Sequence, residues 1–197
     1  ITRVISMDLH AGQIQGFFPG PFDHLIARPS LVKPLLELPR KNLVVVSPDA
    51  GRVKSAERFS SSLNCSMAII HKHRSNSERN VVEARYLIGE VTGKTCIVVD
   101  DMIDTAGTLC AAAKLLAKHG AKTIYGVATH GVLSEPANER LETSAFTKIY
   151  VTNSLPLPVK PTQKLEVVSI APLLADAIRS VFEHSSVSAL FGGQNQM

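Results

Sequence analysis

The chain has 197 residues, of which 45% are hydrophobic and 19% are charged, and its formal net charge is +4. These values fit one globular domain or slightly more. Basic residues are scattered and Trp is absent, which argues against nucleic-acid binding, and no apolar run is long enough to cross a membrane. The three cysteines, Cys65, Cys96 and Cys110, fit no metal spacing and favour a reducing, intracellular compartment.

Apolar runs and turn residues predict strands and helices that alternate along the chain. The predicted strands are 2–8, the start of 43–51, 67–70, 96–99, 123–129, 148–152 and 165–170. The predicted helices are 31–38, 52–63, 106–118, 136–143 and 171–183. Residues 71–80 indicate a long polar loop, 83–87 fit either a strand or a helical turn, and the tail after Phe191 is expected to be disordered.

This alternation predicts an α/β fold with three layers, in which helices cover both faces of a mostly parallel sheet. Ligands of such folds bind at the carboxyl ends of the strands. Three polar segments follow predicted strands, namely 47–51 (SPDAG), 100–108 (DDMIDTAGT) and 129–131 (THG). We therefore expect these three segments to face one crevice.

The segment 96–109, CIVVDDMIDTAGTL, carries the strongest functional signal. A run of four apolar residues leads into Asp100 and Asp101, Asp104 opens a short turn that ends at Thr108, and a helical pattern follows. A helix N-terminus offers N–H groups to a phosphate, and the carboxylates can hold ribose hydroxyls or a metal ion. The segment therefore predicts a ribose 5-phosphate site. The competing interpretation is a structural turn and cap, which needs only one of these polar groups.

The motif VVDDMIDTAGT resembles the ribose 5-phosphate and PRPP (5-phosphoribosyl 1-diphosphate) binding motif of type I phosphoribosyltransferases. From its first residue to about Phe191, the chain resembles the ribose-phosphate diphosphokinase, or PRPP synthetase, family of the phosphoribosyltransferase-like superfamily. The other segments that carry this resemblance are 7–18, 47–51, 71–74, 129–134 and 151–154. The resemblance implies a type I phosphoribosyltransferase fold and transfer of the diphosphoryl group of MgATP to ribose 5-phosphate. It also implies Mg²⁺ as a cofactor and a cytoplasmic homo-oligomer, a hexamer in the family.

The resemblance also implies roles for single residues. The ribose hydroxyls are bound by Asp100, Asp101 and Asp104. The 5-phosphate is bound by Thr105, Ala106, Gly107 and Thr108. Magnesium is served by His10 and Asp49, and the transition state is stabilised by Lys72 and Arg74. From the residues alone, His10 could equally be a histidine with a local hydrogen bond, Asp49 a structural turn residue, and Lys72 and Arg74 part of a solvated basic loop. Arg52 stands where many relatives carry a second Gly, which is a departure in the loop that holds Asp49.

The chain begins at Ile1 within a strand-like segment, whereas members of the resembled family extend further at the N-terminus. We therefore expect the C-terminal part of a longer protein. In this chain we expect three parts: a remnant of an N-terminal domain at 1–25, the C-terminal domain at 26–170, and a helix and tail at 171–197. Strand 2–8 then lacks an earlier partner, which favours association. We expect the chain to bind ribose 5-phosphate but to make little PRPP.

Two other functions are compatible with parts of the pattern. A non-catalytic regulatory relative would keep the fold, but the retained His10, Asp49, Lys72 and Arg74 argue against it. A phosphoribosyltransferase would share the 96–109 motif, yet it has no use for the segment 7–18, MDLHAGQIQGFF.

Overall fold

The computed structural model describes residues 1–73 and 84–191. The strands are β1 (Val4–Met7), β2 (Phe22–Leu25), β3 (Leu43–Ser47), β4 (Ser66–His73), β5 (Ala84–Ile88), β6 (Thr95–Ile103), β7 (Thr123–Gly131), β8 (Lys148–Thr152) and β9 (Leu165–Val168). The helices are α1 (Arg28–Leu35), α2 (Val53–Leu63), α3 (Gly107–Lys118), α4 (Ala137–Glu142) and α5 (Ala171–Phe182). Short 3₁₀ turns lie at Gly12–Phe17, Ala50–Arg52 and Val187–Phe191. All five predicted helices are present, with bounds shifted by a few residues.

Seven strands form the main sheet, in the order β5-β4-β3-β6-β7-β8-β9. Every neighbouring pair is parallel except β4 and β5. The predicted mostly parallel sheet is therefore confirmed. Because β3, β6 and β7 are adjacent and parallel, their carboxyl ends lie side by side at one edge.

Helices cover both faces of this sheet, as the three-layer prediction requires. On one face α3 buries Leu109, Ala112, Ala113 and Leu116, which are the apolar stripe expected from the sequence. On the other face, α1 and α2 pack on a separate apolar cluster that includes β3 residues of opposite orientation. The sheet thus fixes the starts of α2 and α3 on opposite faces of the same carboxyl edge.

A second, two-stranded sheet lies outside the main one, and the sequence did not predict it. Strand β1 pairs in parallel with β2, with Val4 opposite Phe22 and Met7 opposite Leu25. The first strand therefore has a partner that follows it in the chain, whereas the sequence analysis considered only an earlier strand and expected an unpaired edge. Leu25 also joins α5 in a third apolar cluster, so both ends of the described chain pack together. The division into domains 1–25, 26–170 and 171–197 stays a prediction.

Two strands are longer than predicted, and both extensions change the context of site residues. Strand β6 runs to Ile103 because β7 continues beside it as far as Gly131, so Asp100 and Asp101 belong to the strand. Strand β4 runs to His73 because the antiparallel β5 supplies its partners, and 84–87 are therefore strand, whereas residue 83 lies outside the described residues. Arg74 and the tail beyond Phe191 lie outside the described residues. None of the helices in 1–73 and 84–191 is long and apolar enough to cross a bilayer.

Candidate functional site

Two adjacent carboxylates near the end of β6 form the centre of the site. The Asp100 and Asp101 side chains are 15% and 12% exposed, so they are mostly buried and still reachable. The Arg52 guanidinium bridges them, with Nε 3.2 Å from Asp100 Oδ1 and Nη2 2.7 Å from Asp101 Oδ2. This contact joins the end of β3 to the end of β6, as the crevice prediction required.

The His10 imidazole completes a close group of three polar side chains. Its Nδ1 lies 2.7 Å from Asp101 Oδ2 and 2.9 Å from Arg52 Nη2. One ring nitrogen can donate to the carboxylate or accept from the guanidinium, but it cannot do both at once. The His10 side chain is 63% exposed. His10 is therefore the member of the group that can swing away most easily.

The turn that carries His10 is anchored to the end of β7. The Asp8 carboxylate accepts hydrogen bonds from the Ala27 amide, at 2.9 Å, and from the Thr129 hydroxyl, at 2.6 Å. The backbone of Asp8 has a φ of 39°, which is unusual for a residue with a side chain. His130 Nε2 lies 3.1 Å from the carbonyl oxygens of both Met7 and Asp8. Asp8 and His130 therefore have a positioning role at this edge.

The two carboxyl groups of the pair titrate differently. Burial raises the pKa of Asp100 to about 7, and the neighbouring Asp101 charge adds to this shift. Burial also acts on Asp101, but the hydrogen bond with His10 and the charge of Arg52 outweigh it and lower its pKa. Near neutral pH, Asp101 is the ionised member of the pair, and the two groups together carry fewer than two negative charges.

The 104–108 loop links β6 to the start of α3. Asp104, Thr105 and Thr108 are exposed, and no side chain caps the N-terminus of α3. Ala106 has φ 60° and ψ 6°, the left-handed conformation, and this turns the chain into the helix. Behind the loop, Arg140 Nη1 of α4 donates to the Thr105 carbonyl at 2.9 Å. The loop thus presents helical N–H groups to solvent beside a cation, which suits an anion.

The two residues expected to serve magnesium both contact Arg52. The Asp49 carboxylate accepts a hydrogen bond from the Arg52 amide at 3.1 Å, and this fixes the turn after β3. Within residues 1–73 and 84–191, no three His, Cys, Asp or Glu side chains gather around a point that could hold a metal. Carboxylates are the ligands that magnesium prefers. Because the Arg52 guanidinium already pairs with Asp100 and Asp101 and lies 2.9 Å from His10 Nδ1, this arrangement does not fit a resident magnesium ion.

A large cleft of about 910 Å³ opens beside the carboxylate pair. It lies between the β1–β2 segment and α2, and the pair and His10 form part of its wall. Its basic lining residues include Arg28, Lys54 and Arg58. The cleft is large enough for a nucleotide, and its basic wall attracts phosphate groups.

The structure brings most of the predicted site residues to one edge. His10, Asp100 and Asp101 are in contact, and Asp49 reaches them through Arg52. The backbone of Lys72 lies in β4 opposite Arg85, rather than in the predicted loop. The residues that sequence analysis did not assign are Arg140, Thr129 and His130. Their partners are distant in sequence, and the signal available for His130 was its place at the end of a predicted strand.

Comparison with known proteins agrees with this geometry. A family described as the phosphoribosyl synthetase-associated domain matches residues 85–192. The chain belongs to this family. Over 194 residues it is 48% identical to a ribose-phosphate pyrophosphokinase of Streptomyces avermitilis, and the match covers 98% of this chain and 60% of that protein. The corresponding protein of Aquifex aeolicus is 50% identical over 195 residues, with 96% and 61% covered. The chain therefore spans about three fifths of these relatives.

Solved structures show the same relationship. The phosphoribosylpyrophosphate synthetase of Mycobacterium smegmatis superposes with a TM-score of 0.85 and 48% identity, over 93% of this chain and 60% of that one. An adenine phosphoribosyltransferase (APRTase) of Giardia lamblia, complexed with 9-deazaadenine, gives a TM-score of 0.52 at 16% identity. That match covers 64% of this chain and 75% of the other, and it indicates a shared fold. The predicted phosphoribosyltransferase-type fold is thus confirmed.

Proposed function

We propose that this chain forms the ribose 5-phosphate half of a ribose-phosphate diphosphokinase active site. In that reaction the anomeric oxygen of ribose 5-phosphate attacks the β-phosphorus of MgATP. The bond from this phosphorus to the α–β bridging oxygen breaks, the hydroxyl proton passes to solvent, and AMP and PRPP form. The family membership and the similarity to ribose-phosphate pyrophosphokinases support this reaction. Since the chain spans three fifths of those relatives, we propose that it corresponds to their C-terminal portion.

One observation carries the proposal. The carboxylate pair of β6 and the uncapped N-terminus of α3 are joined by a few residues and lie at the same sheet edge. The pair can accept hydrogen bonds from hydroxyls, and the helix start can bind an anion. A sugar phosphate needs both functions within a few ångströms. A structural turn has no need of two buried carboxylates beside an open helix terminus.

The 5-phosphate is proposed to sit on the 104–108 loop. The amides of Gly107 and Thr108 belong to the first turn of α3, where backbone N–H groups have no helical acceptor. The partial positive charge of the helix start and the Arg140 guanidinium both favour a phosphate dianion. The exposed Thr105 is proposed to contact the phosphate too, and the exposed Asp104, at the start of the loop, is proposed to hold a ribose hydroxyl.

The ribose hydroxyls are proposed to bind Asp100 and Asp101. The ionised Asp101 accepts hydrogen bonds, whereas Asp100, with its raised pKa of about 7, can accept or donate. A hydroxyl placed here can also accept from Arg52, since an O–H group is both donor and acceptor. These contacts orient the anomeric oxygen without requiring a base among the described residues.

The cleft beside the pair is the proposed place of MgATP. Its basic residues suit the triphosphate, and His10 and Asp49 are proposed to face the magnesium that arrives with the nucleotide. When bound, that ion would neutralise negative charge on the phosphate oxygens. Lys72 and Arg74 are proposed to stabilise the charge that develops during transfer. A cytoplasmic location and a homo-oligomeric assembly are proposed on the family resemblance.

Calorimetric titration with ribose 5-phosphate tests the function at its first step. We expect binding that is tighter than that of either ribose or inorganic phosphate, because the site contacts both parts of the ligand. Asp104→Asn and Thr108→Val should each weaken it. Matched controls are Asp176→Asn, at an exposed position of α5, and Thr123→Val, at the opposite end of the strands. Unchanged affinity in both site variants would sink the assignment.

A further inference from the structure

Arg52 is held in place by contacts that begin in its own backbone. Its amide donates to the Asp49 carboxylate, and it ends the short 3₁₀ turn just before α2. The side chain is 22% exposed and reaches across from β3 to β6. There the guanidinium uses two different nitrogens on Asp100 and Asp101. A planar guanidinium is well suited to such paired contacts.

The guanidinium occupies the position that a divalent cation would take on this pair. Two neighbouring, mostly buried carboxylates attract a hard cation, which in proteins often needs one or two carboxylates and several waters. Here one positive charge and two N–H groups already satisfy Asp100 and Asp101. A divalent ion must displace them and leave a cationic side chain close by. This combination opposes metal binding through lost hydrogen bonds and through repulsion.

We propose that Arg52 is a specificity-determining residue that keeps free divalent cations off the Asp100–Asp101 pair. The carboxylates are thereby kept available to hydroxyl groups of a ligand. This role goes beyond the proposed activity, because it concerns the unliganded protein. The proposal for Arg52 rests on the contacts of that residue alone. It can therefore be wrong while the ribose 5-phosphate assignment is right, and it can be right while that assignment is wrong.

Manganese binding to the full chain provides the test, with free Mn²⁺ followed by electron paramagnetic resonance. Arg52→Gly should bind Mn²⁺ at least about tenfold more tightly than the unchanged chain, which corresponds to about 1.4 kcal/mol. Glycine can adopt the φ of −101° that Arg52 has, and circular dichroism checks the fold. Arg52→Gln removes the charge while keeping a side chain, and it decides the matter if the glycine variant does not fold.

Two further variants locate the effect. Lys54→Gln removes one positive charge from an exposed residue of the same cleft, and it should change Mn²⁺ affinity by less than about twofold, since exposed charges are well screened. Adding Asp101→Asn to Arg52→Gly should abolish the gain. The proposal is overturned if both Arg52 variants bind Mn²⁺ as weakly as the unchanged chain. It is also overturned if Lys54→Gln produces an equal gain, or if the gain survives Asp101→Asn.

Discussion

Replacing Ala106 by glycine tests the backbone geometry that presents the helix N–H groups. Ala106 has a φ of 60°, and a left-handed conformation costs a residue with a Cβ about 1–2 kcal/mol. Glycine removes this strain. It also loses a buried methyl group, worth about 0.8 kcal/mol, and adds about 0.5–1 kcal/mol of backbone entropy to the unfolded chain. The terms nearly cancel, so we expect stability within about 0.5 kcal/mol of the unchanged chain.

The same substitution at Ala112 is the matched control. Ala112 is fully buried within α3, where glycine loses the methyl group and about 1 kcal/mol of helix propensity without relieving any strain. Ala112→Gly should therefore lose about 2 kcal/mol. Urea denaturation of both variants measures the difference. Equal losses at Ala106 and Ala112 would contradict the left-handed turn, and with it the direction of the N–H groups.

Two further predictions concern charge and pH. Arg140→Gln should weaken ribose 5-phosphate binding about fivefold in calorimetry, which corresponds to about 1 kcal/mol of attraction between an exposed charge and a dianion, and it should spare ribose binding. Equal losses for both ligands would refute the role. Burial lowers the pKa of His24 from 6.5, partly opposed by Asp8, and its Nε2 accepts from the Leu9 amide. The contribution of neutral His24 to the free energy of unfolding is fully present above pH 6.5, and it is lost as the pH falls through the lower pKa of the folded state. In urea denaturation, the free energy of unfolding of His24→Gln should therefore fall less between pH 8 and pH 5 than that of the unchanged chain. Identical pH profiles would contradict this role of His24.

Local patterns were sufficient to predict the main sheet and its helices. The apolar stripe of α3 and the buried runs of β3 and β6 are periodic signals within single elements. They also placed Asp100 and Asp101 at the correct edge, because parallel strands share the direction of their carboxyl ends. Strand β2 escaped prediction because it is four residues long and mostly half-buried, which leaves little alternation to read.

The contacts that organise the site depend on distances along the chain that no local pattern encodes. Asp8 meets Thr129 across 121 residues, and Arg140 meets Thr105 across 35. The Arg52 departure was visible in the sequence, but its bridge to the pair on β6 depends on β3 and β6 being neighbours. The left-handed turn at Ala106 was also hidden, because alanine usually favours helices rather than this conformation.

The central claim is that a sugar phosphate binds where β6 turns into α3. Titration of ¹⁵N-labelled chain with ribose 5-phosphate, followed by amide chemical shifts, tests it most directly. We predict the largest and saturable shifts at the amides of the 104–108 loop and the first turn of α3, with smaller shifts at Asp100 and Asp101. Inorganic phosphate should reproduce the loop shifts at higher concentration and leave the carboxylate pair unaffected. Shifts confined to the basic cleft around Arg28 and Arg58, with the 104–108 loop unchanged, would contradict the account.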